Sequence, residues 1–164
     1  MLFFNLFHRK NICLDEASQS KTAVLLKISQ LIHQNNPKLS IESLFDAFWK
    51  RETLGSTAIG HGIIIPHIRS QAAEETQACF LKLKTPIDFG AEDKQPIDLV
   101  IGLVVPQTNT TQHLALLNGI CQEFGKPSLR NACRAANDEE ELFRLLVKPS
   151  KTATQLIETE MISE

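Results

Sequence analysis

Asp98-Leu-Val-Ile-Gly-Leu-Val-Val105 is an almost continuous apolar run closed by Pro106, and it limits the possible folds more than any other stretch. A strand apolar on both alternating faces must be covered on both sides, so the run predicts a central strand with a layer of structure above and below it. The flanking sequence supplies such layers. Ser18 to Asn36 carries Val24, Ile28, Leu31 and Ile32 at helical spacing and stops at Pro37. Ser40 caps a second amphipathic helix marked by Ile41, Leu44, Phe45, Phe48 and Trp49, which ends near Leu54-Gly55. Strands are predicted at Ile59, at Gly62 to Ile65, and at Gln77 to Lys84, where Cys79, Leu81 and Leu83 alternate with lysines. Beyond Pro106, the polar residues Gln107 to Thr111 cap a helix with an inward stripe of Leu114, Leu117, Cys121 and Phe124, closed by Gly125-Lys-Pro127. A short helix over Ser128 to Ala136 follows, then a capping box, Asp138 with Glu141, that opens a helix over Glu139 to Val147. Helices before, between and after strands predict a single-domain α/β sandwich, a mixed β-sheet flanked by helices on both sides.

A chain of 164 residues with 43% hydrophobic and 22% charged residues has the makeup of one soluble domain that needs no metal or disulfide to hold its core. The expected boundaries are residues 1–13 as an N-terminal extension, 14–150 as the domain, and 151–164 as a C-terminal helix or tail. Residues 1 to about 10 are expected to be frayed or family-atypical. The net charge of −2 and the lack of a dense basic stripe argue against nucleic acid as a direct partner. Cys13, Cys79, Cys121 and Cys133 have neither CxxC nor zinc-ribbon spacing, which reads as reduced thiols in a cytoplasmic protein. Met1 to Phe7 is too short, and wrongly ordered against the first positive charges, for a signal peptide. No stretch approaches the roughly 20 apolar residues of a membrane span, so stable membrane insertion is not expected.

The chemistry concentrates in Arg51-Glu-Thr-Leu-Gly-Ser-Thr-Ala-Ile-Gly-His-Gly-Ile-Ile-Ile-Pro-His-Ile-Arg69. Gly55, Gly60 and Gly62 allow sharp turns or close approach to a ligand, and Ile63 to Ile65 read as a buried strand that delivers His67 to its end. An imidazole so placed is either a satisfied structural group or a nucleophile at neutral pH. His113 stands where a helix begins after the central strand, at the carboxyl edge of the sheet, and a helix N-terminus favours its neutral form. Arg51 and Arg69 are either solvated charges or contacts for a phosphoryl group or an acidic partner. Ser56 and Thr57 are turn residues, hydroxyl donors to a phosphate, or both. His61 has no clear assignment. Neither a Walker loop nor a Rossmann fingerprint is present. A zinc site built from His61, His67 and His113 is the rival reading, though no carboxylate second shell is evident to orient the ligands.

The segment resembles the active-site signature of the IIA domains of the bacterial phosphotransferase system, fructose/mannitol class, and is most similar to the nitrogen-regulatory IIA proteins. The resemblance continues in order through Thr85-Pro-Ile-Asp-Phe89, Gln95-Pro-Ile-Asp-Leu99, Leu103-Val-Val-Pro106, His113-Leu-Ala-Leu-Leu117 and Arg134 to Leu142, covering roughly Leu14 to Val147. It implies that His67 is the phosphorylated nucleophile, His113 the second active-site histidine, and Arg51 a phosphoryl or partner contact. Ser56, Thr57, Gly60 and Gly62 are the expected phosphoryl-binding residues. Ala58, His61, Ile64 and Ile68 depart from the family's usual Gly, Asn, small residue and Gly, and Ile68 bears on how a partner approaches.

The function expected from this resemblance is a phosphohistidine-carrying IIA component, charged by HPr or its nitrogen-branch paralogue and regulating a target protein, with no cofactor and no metal. A sugar-specific IIA that passes phosphate to a fructose- or mannitol-type IIB domain is one alternative. A protein-interaction module that is no longer phosphorylated is the other.

Overall fold

The computed structural model describes residues 5–108 and 110–147. In chain order a 3₁₀ turn at Arg9–Asn11 leads into β1 (Ile12–Asp15), α1 (Lys21–Asn35), α2 (Ile41–Leu54), β2 (Ala58–Gly60), β3 (Ile63–Ile64) and β4 (His67–Ser70). β5 (Gln77–Ile87), β6 (Ile97–Pro106), α3 (Thr110–Phe124), α4 (Pro127–Ala135) and α5 (Glu139–Val147) complete it. The sheet runs β1-β5-β6-β3-β2, with β4 also paired to β6. β5 is antiparallel to β6, while β3 and β4 lie one after the other along its opposite flank, both parallel to it.

The apolar run behaves as its pattern requires. Leu99, Ile101, Leu103 and Val105 pack with Leu116, Ile120, Phe124, Leu142 and Leu146 on the face covered by α3 and α5. Val100 and Val104 pack with Val24, Ile28, Leu44 and Phe48 on the face covered by α1 and α2. Gly102 lets α1 come close, since a Cβ there would stand 2.7 Å from Ile28 Cγ2 and 2.9 Å from Cys79 Sγ. A mixed sheet between two helical layers is the predicted α/β sandwich.

Several local expectations are corrected. Residues 5–10 are not frayed: Leu6 and Phe7 are buried, Phe7 meets Phe80 edge-on at 6.0 Å, and the Asn11 amide donates to the Leu6 and Ala78 carbonyls. Burial of two large apolar side chains outweighs the entropy of a terminus. α1 starts at Lys21 because Ser20 is its cap, accepting from the Ala23 N–H, while Ser18 donates its own N–H to Asp15. On α3 the buried stripe is His113, Leu116, Ile120 and Phe124, and Leu114 is 55% exposed. The helix is apolar around much of its circumference, so spacing alone did not single out the inward face. Trp49 is 42% exposed and stacks on Phe45 instead of joining the core. The expected tail, 151–164, lies outside the described residues. Among those described, no helix is long and apolar enough to cross a membrane.

Candidate functional site

Pro66 divides the glycine-rich segment. It has no N–H to offer, so the ladder of β3 ends at Ile64, but its carbonyl still accepts from the Leu103 N–H at 2.9 Å. The chain stays against β6 and resumes pairing as β4, with His67 opposite Leu103. His67 therefore opens a strand of its own, where the sequence suggested the end of one. Its Nδ1 lies 2.7 Å from the Ile65 carbonyl oxygen. A carbonyl only accepts, so Nδ1 carries the proton and Nε2 keeps a free lone pair. Ile68, the bulky departure, is buried on the α2 face of the sheet, so its bulk is absorbed by the core.

His113 reaches the same place from the other side of β6. Pro106 ends that strand, and the first turn of α3 holds the imidazole 5.5 Å from that of His67, centroid to centroid, at an interplanar angle of 44°. His113 is buried, and its Nδ1 has no hydrogen-bond partner among the described residues. An orphaned N–H costs more than an orphaned lone pair on a neutral ring, which leaves Nε2 as the protonated nitrogen able to donate. Burial is the main influence pushing both histidines below their ordinary pKa. At His67 the Ile65 hydrogen bond opposes it and the Arg51 and Arg69 charges reinforce it; at His113, His67 and Arg69 add to it. Both rings are therefore held toward the neutral form.

Arg51 in the last turn of α2 donates to the Gly55 carbonyl at 3.1 Å. With Ala47, Lys50, Leu54, His67, Ile68, Arg69 and His113 it lines a depression of about 460 Å³. Lys50 and Leu54 were not anticipated. The signal was available, because 47, 50, 51 and 54 follow the i, i+3, i+4, i+7 rule and share one face of α2. Among the described residues neither Arg51 nor Arg69 has a carboxylate partner, and Lys50 pairs with Asp46 at 2.9 Å across an exposed helix face.

The other expected residues divide between two places. Thr57 is buried, its carbonyl accepts from the Ile65 N–H, and its Oγ1 has no partner among the described residues. Ser56 is exposed and its hydroxyl accepts from the Ala58 N–H, a turn contact. Gly60 and Gly62 are not brought to His67. Gly62 pairs through its carbonyl with the N–H groups of Asp98 and Leu99, at the start of β6, about 13–17 Å along the strand from Leu103. Gly60 approaches Asp93, and Gly62 packs against Arg134 and Asp98. His61 lies there too: at φ +58 it forms the β2–β3 turn with Gly62 at φ +79, and its N–H donates to Asp93. That removes His61 from a shared zinc site with His67 and His113. No group of three or more potential metal ligands occurs among the described residues.

The family model described as "Phosphoenolpyruvate-dependent sugar phosphotransferase system, EIIA 2" matches residues 5–148. A nitrogen regulatory protein of Pseudomonas aeruginosa is 36% identical over 128 residues, 78% of this chain and 83% of that protein. The nitrogen regulatory protein of Escherichia coli K12 is 36% identical over 137 residues, 82% of each. The crystal structure of nitrogen regulatory protein IIA-Ntr from Neisseria meningitidis superimposes with a TM-score of 0.80 at 28% identity, covering 87% of this chain and 97% of that one. IIA mannitol from Escherichia coli shares the fold, with a TM-score of 0.71 at 20% identity over 85% of this chain and 98% of that one.

Proposed function

This chain belongs to the EIIA 2 family of the phosphoenolpyruvate-dependent sugar phosphotransferase system, and we propose that His67 is the residue that carries its phosphoryl group. The observation behind this reading is the pinned ring of His67: Nδ1–H tied to the Ile65 carbonyl and Nε2 unbonded beside Arg51, Arg69 and His113. Nε2 attacks the phosphorus of a donor phosphohistidine. One N–P bond forms as the donor's breaks, and the donor imidazole leaves with the bonding pair. The loaded ring keeps its Nδ1 proton against Ile65, so it can later depart as neutral imidazole when the group moves on. Little other chemistry is required of the protein, and positioning plus charge neutralisation do most of the work.

Arg51 and Arg69 offset the charge on the equatorial oxygens, and His113 donates a neutral hydrogen bond from Nε2. The unpartnered Thr57 hydroxyl is a second candidate donor. The donor is an HPr-type phosphocarrier, the setting is the cytoplasm, and the role is regulatory. In support of regulation, relatives named nitrogen regulatory protein reach 36–38% identity, against 27% for an EIIABC component specific for 2-O-α-mannosyl-D-glycerate.

The test is incubation with phosphoenolpyruvate, enzyme I and an HPr-type donor, followed by intact-mass measurement. One acid-labile, alkali-stable phosphoryl group is expected, absent from His67→Gln. His113→Gln should still be loaded, but more slowly or with a shorter-lived product. Phosphate mapped to His113 with His67 bare reverses the assignment, and none from any competent donor leaves an interaction module.

A further inference from the structure

The β2–β3 turn, the connection between β5 and β6, and α4 enclose a second cavity, of about 530 Å³, that the chemistry at His67 leaves unused. It lies where β6 begins, at Asp98, while His67 stands opposite Leu103, so about 17 Å of strand separates the two. Its volume falls within the roughly 300–1,000 Å³ of small-molecule sites.

The cavity is lined by two arginines and two aspartates, and only one of each is neutralised in place. Arg134 spans both carboxylate oxygens of Asp98, from Nε and Nη2, each at 2.9 Å. Nη2 also donates to the His61 carbonyl, and Gly62 leaves room for it, since a Cβ there would stand 2.7 Å from that nitrogen. This pair is fully engaged and forms a wall. Arg130 is not so provided. It is 8% exposed and has no carboxylate partner among the described residues. Its Nη1 donates to the Phe124 carbonyl at 2.9 Å, where the negative end of α3 offsets part of the charge. Nε and Nη2 have no acceptor among the described residues, and a buried cation in that state is costly until a counter-charge arrives. Asp93 is the converse case. It is exposed and accepts the His61 N–H at 3.0 Å on one oxygen and the Gln95 N–H at 3.1 Å on the other, which leaves each oxygen a further lone pair. Neither Arg130 nor Asp93 has an ion-pair partner among the described residues, each other included.

One unspent cation and one unspent anion in a single cavity suit a ligand that carries the opposite pair. A dianion such as phosphate would meet the repulsion of Asp93 and Asp98, and a simple amine would leave Arg130 uncompensated. We propose that this cavity binds a small amino carboxylate, its carboxylate on the Arg130 guanidinium and its ammonium on Asp93. The planar guanidinium matches the carboxylate in shape and charge. The ligand supplies the counter-charge that Arg130 lacks and ties α4 to the β5–β6 connection. Nothing in this site depends on the phosphoryl role of His67, so His67→Gln should bind the same ligand equally well.

NMR titration of the full chain at constant ionic strength tests the site, with glycine, 4-aminobutyrate and 6-aminohexanoate as probes of graded charge separation and with acetate and inorganic phosphate as single-charge-type controls. At least one amino carboxylate should shift the Arg130 guanidinium and the His61, Gly62 and Asn131 amides saturably, with a dissociation constant of about 1 mM or tighter. Acetate and phosphate should bind at least tenfold more weakly. Arg130→Gln should weaken the amino carboxylate at least tenfold. Because Arg130 also holds Phe124, Asp93→Asn at an exposed position provides the second variant: it should bring the amino carboxylate down to the level of acetate while leaving acetate itself unchanged. No saturable shift from any of the three probes by about 50 mM, acetate or phosphate binding as tightly as they do, or undiminished binding in Asp93→Asn each overturns the proposal.

Discussion

Arg51→Ala separates the site from the scaffold. Among the described residues the guanidinium makes one hydrogen bond, to the Gly55 carbonyl in an exposed setting. Its loss costs about 0.5–1 kcal/mol of stability, or roughly 1–4 °C in melting temperature for a chain of this size. A charge-assisted contact to the transferring phosphoryl group is worth about 1.5–3 kcal/mol, which converts to a rate loss of roughly 10- to 150-fold. Removing this charge also removes one of the influences that lower the His67 pKa. Burial, the larger one, remains, so the pKa should rise but stay below the ordinary histidine value. Phosphotransfer rate, thermal unfolding and NMR titration of the His67 ring measure the three effects independently. Arg51→Lys should restore the pKa more fully than the rate, since it keeps the charge and loses the fork. An unchanged rate, or a rate loss matched by unfolding, refutes the reasoning.

His67 and His113 both have folded pKa values below their unfolded ones, so the unfolded chain binds more protons as acid is added. Their contribution to stability should be complete above about pH 6.5 and be lost as pH falls through the lowered folded values, a decline that denaturant titrations should detect and that His67→Gln should lessen. Gly102→Ala forces a methyl against Ile28 and Cys79 and should cost about 1–3 kcal/mol, read as a lower denaturant midpoint with phosphate uptake retained at permissive temperature. His61→Asn should raise the melting temperature slightly, because Asn visits the left-handed conformation His61 adopts more readily than other side chains; an unchanged or lower melting temperature would count against this.

How much could be read from the sequence depended on how far each residue's surroundings are decided locally. The run around Leu99 to Val105 was legible because burial on both faces leaves no polar alternation. Ser40 and Asp138 were legible because a cap is a contact over three residues. β1 and β4 were not, since Ile12-Cys-Leu-Asp15 and His67-Ile-Arg-Ser70 are too short to show a period and become strands only through β5 and β6. Within the site, His67 and His113 were identified and the structure brings them together. The glycine-rich segment was read as one constellation, but extended chain advances about 3.3 Å per residue, so a motif compact in sequence spans both ends of the sheet. Gly60, His61 and Gly62 therefore face Asp93 and Asp98, while His67 looks out past β6.

The hydrogen bond from His67 to Ile65 spans only two residues of the same chain, and the carbonyl between them is fastened to the central strand. The imidazole is thus aimed by a brace that no loop, helix or visiting partner has to complete. On the proposed function, a docking protein would meet a fixed post whose orientational entropy was surrendered during folding, so each exchange would be a matter of surfaces fitting around a stationary nitrogen. Under that proposal, partners of quite different shape could use it in turn, provided each brings its own reacting atom into line.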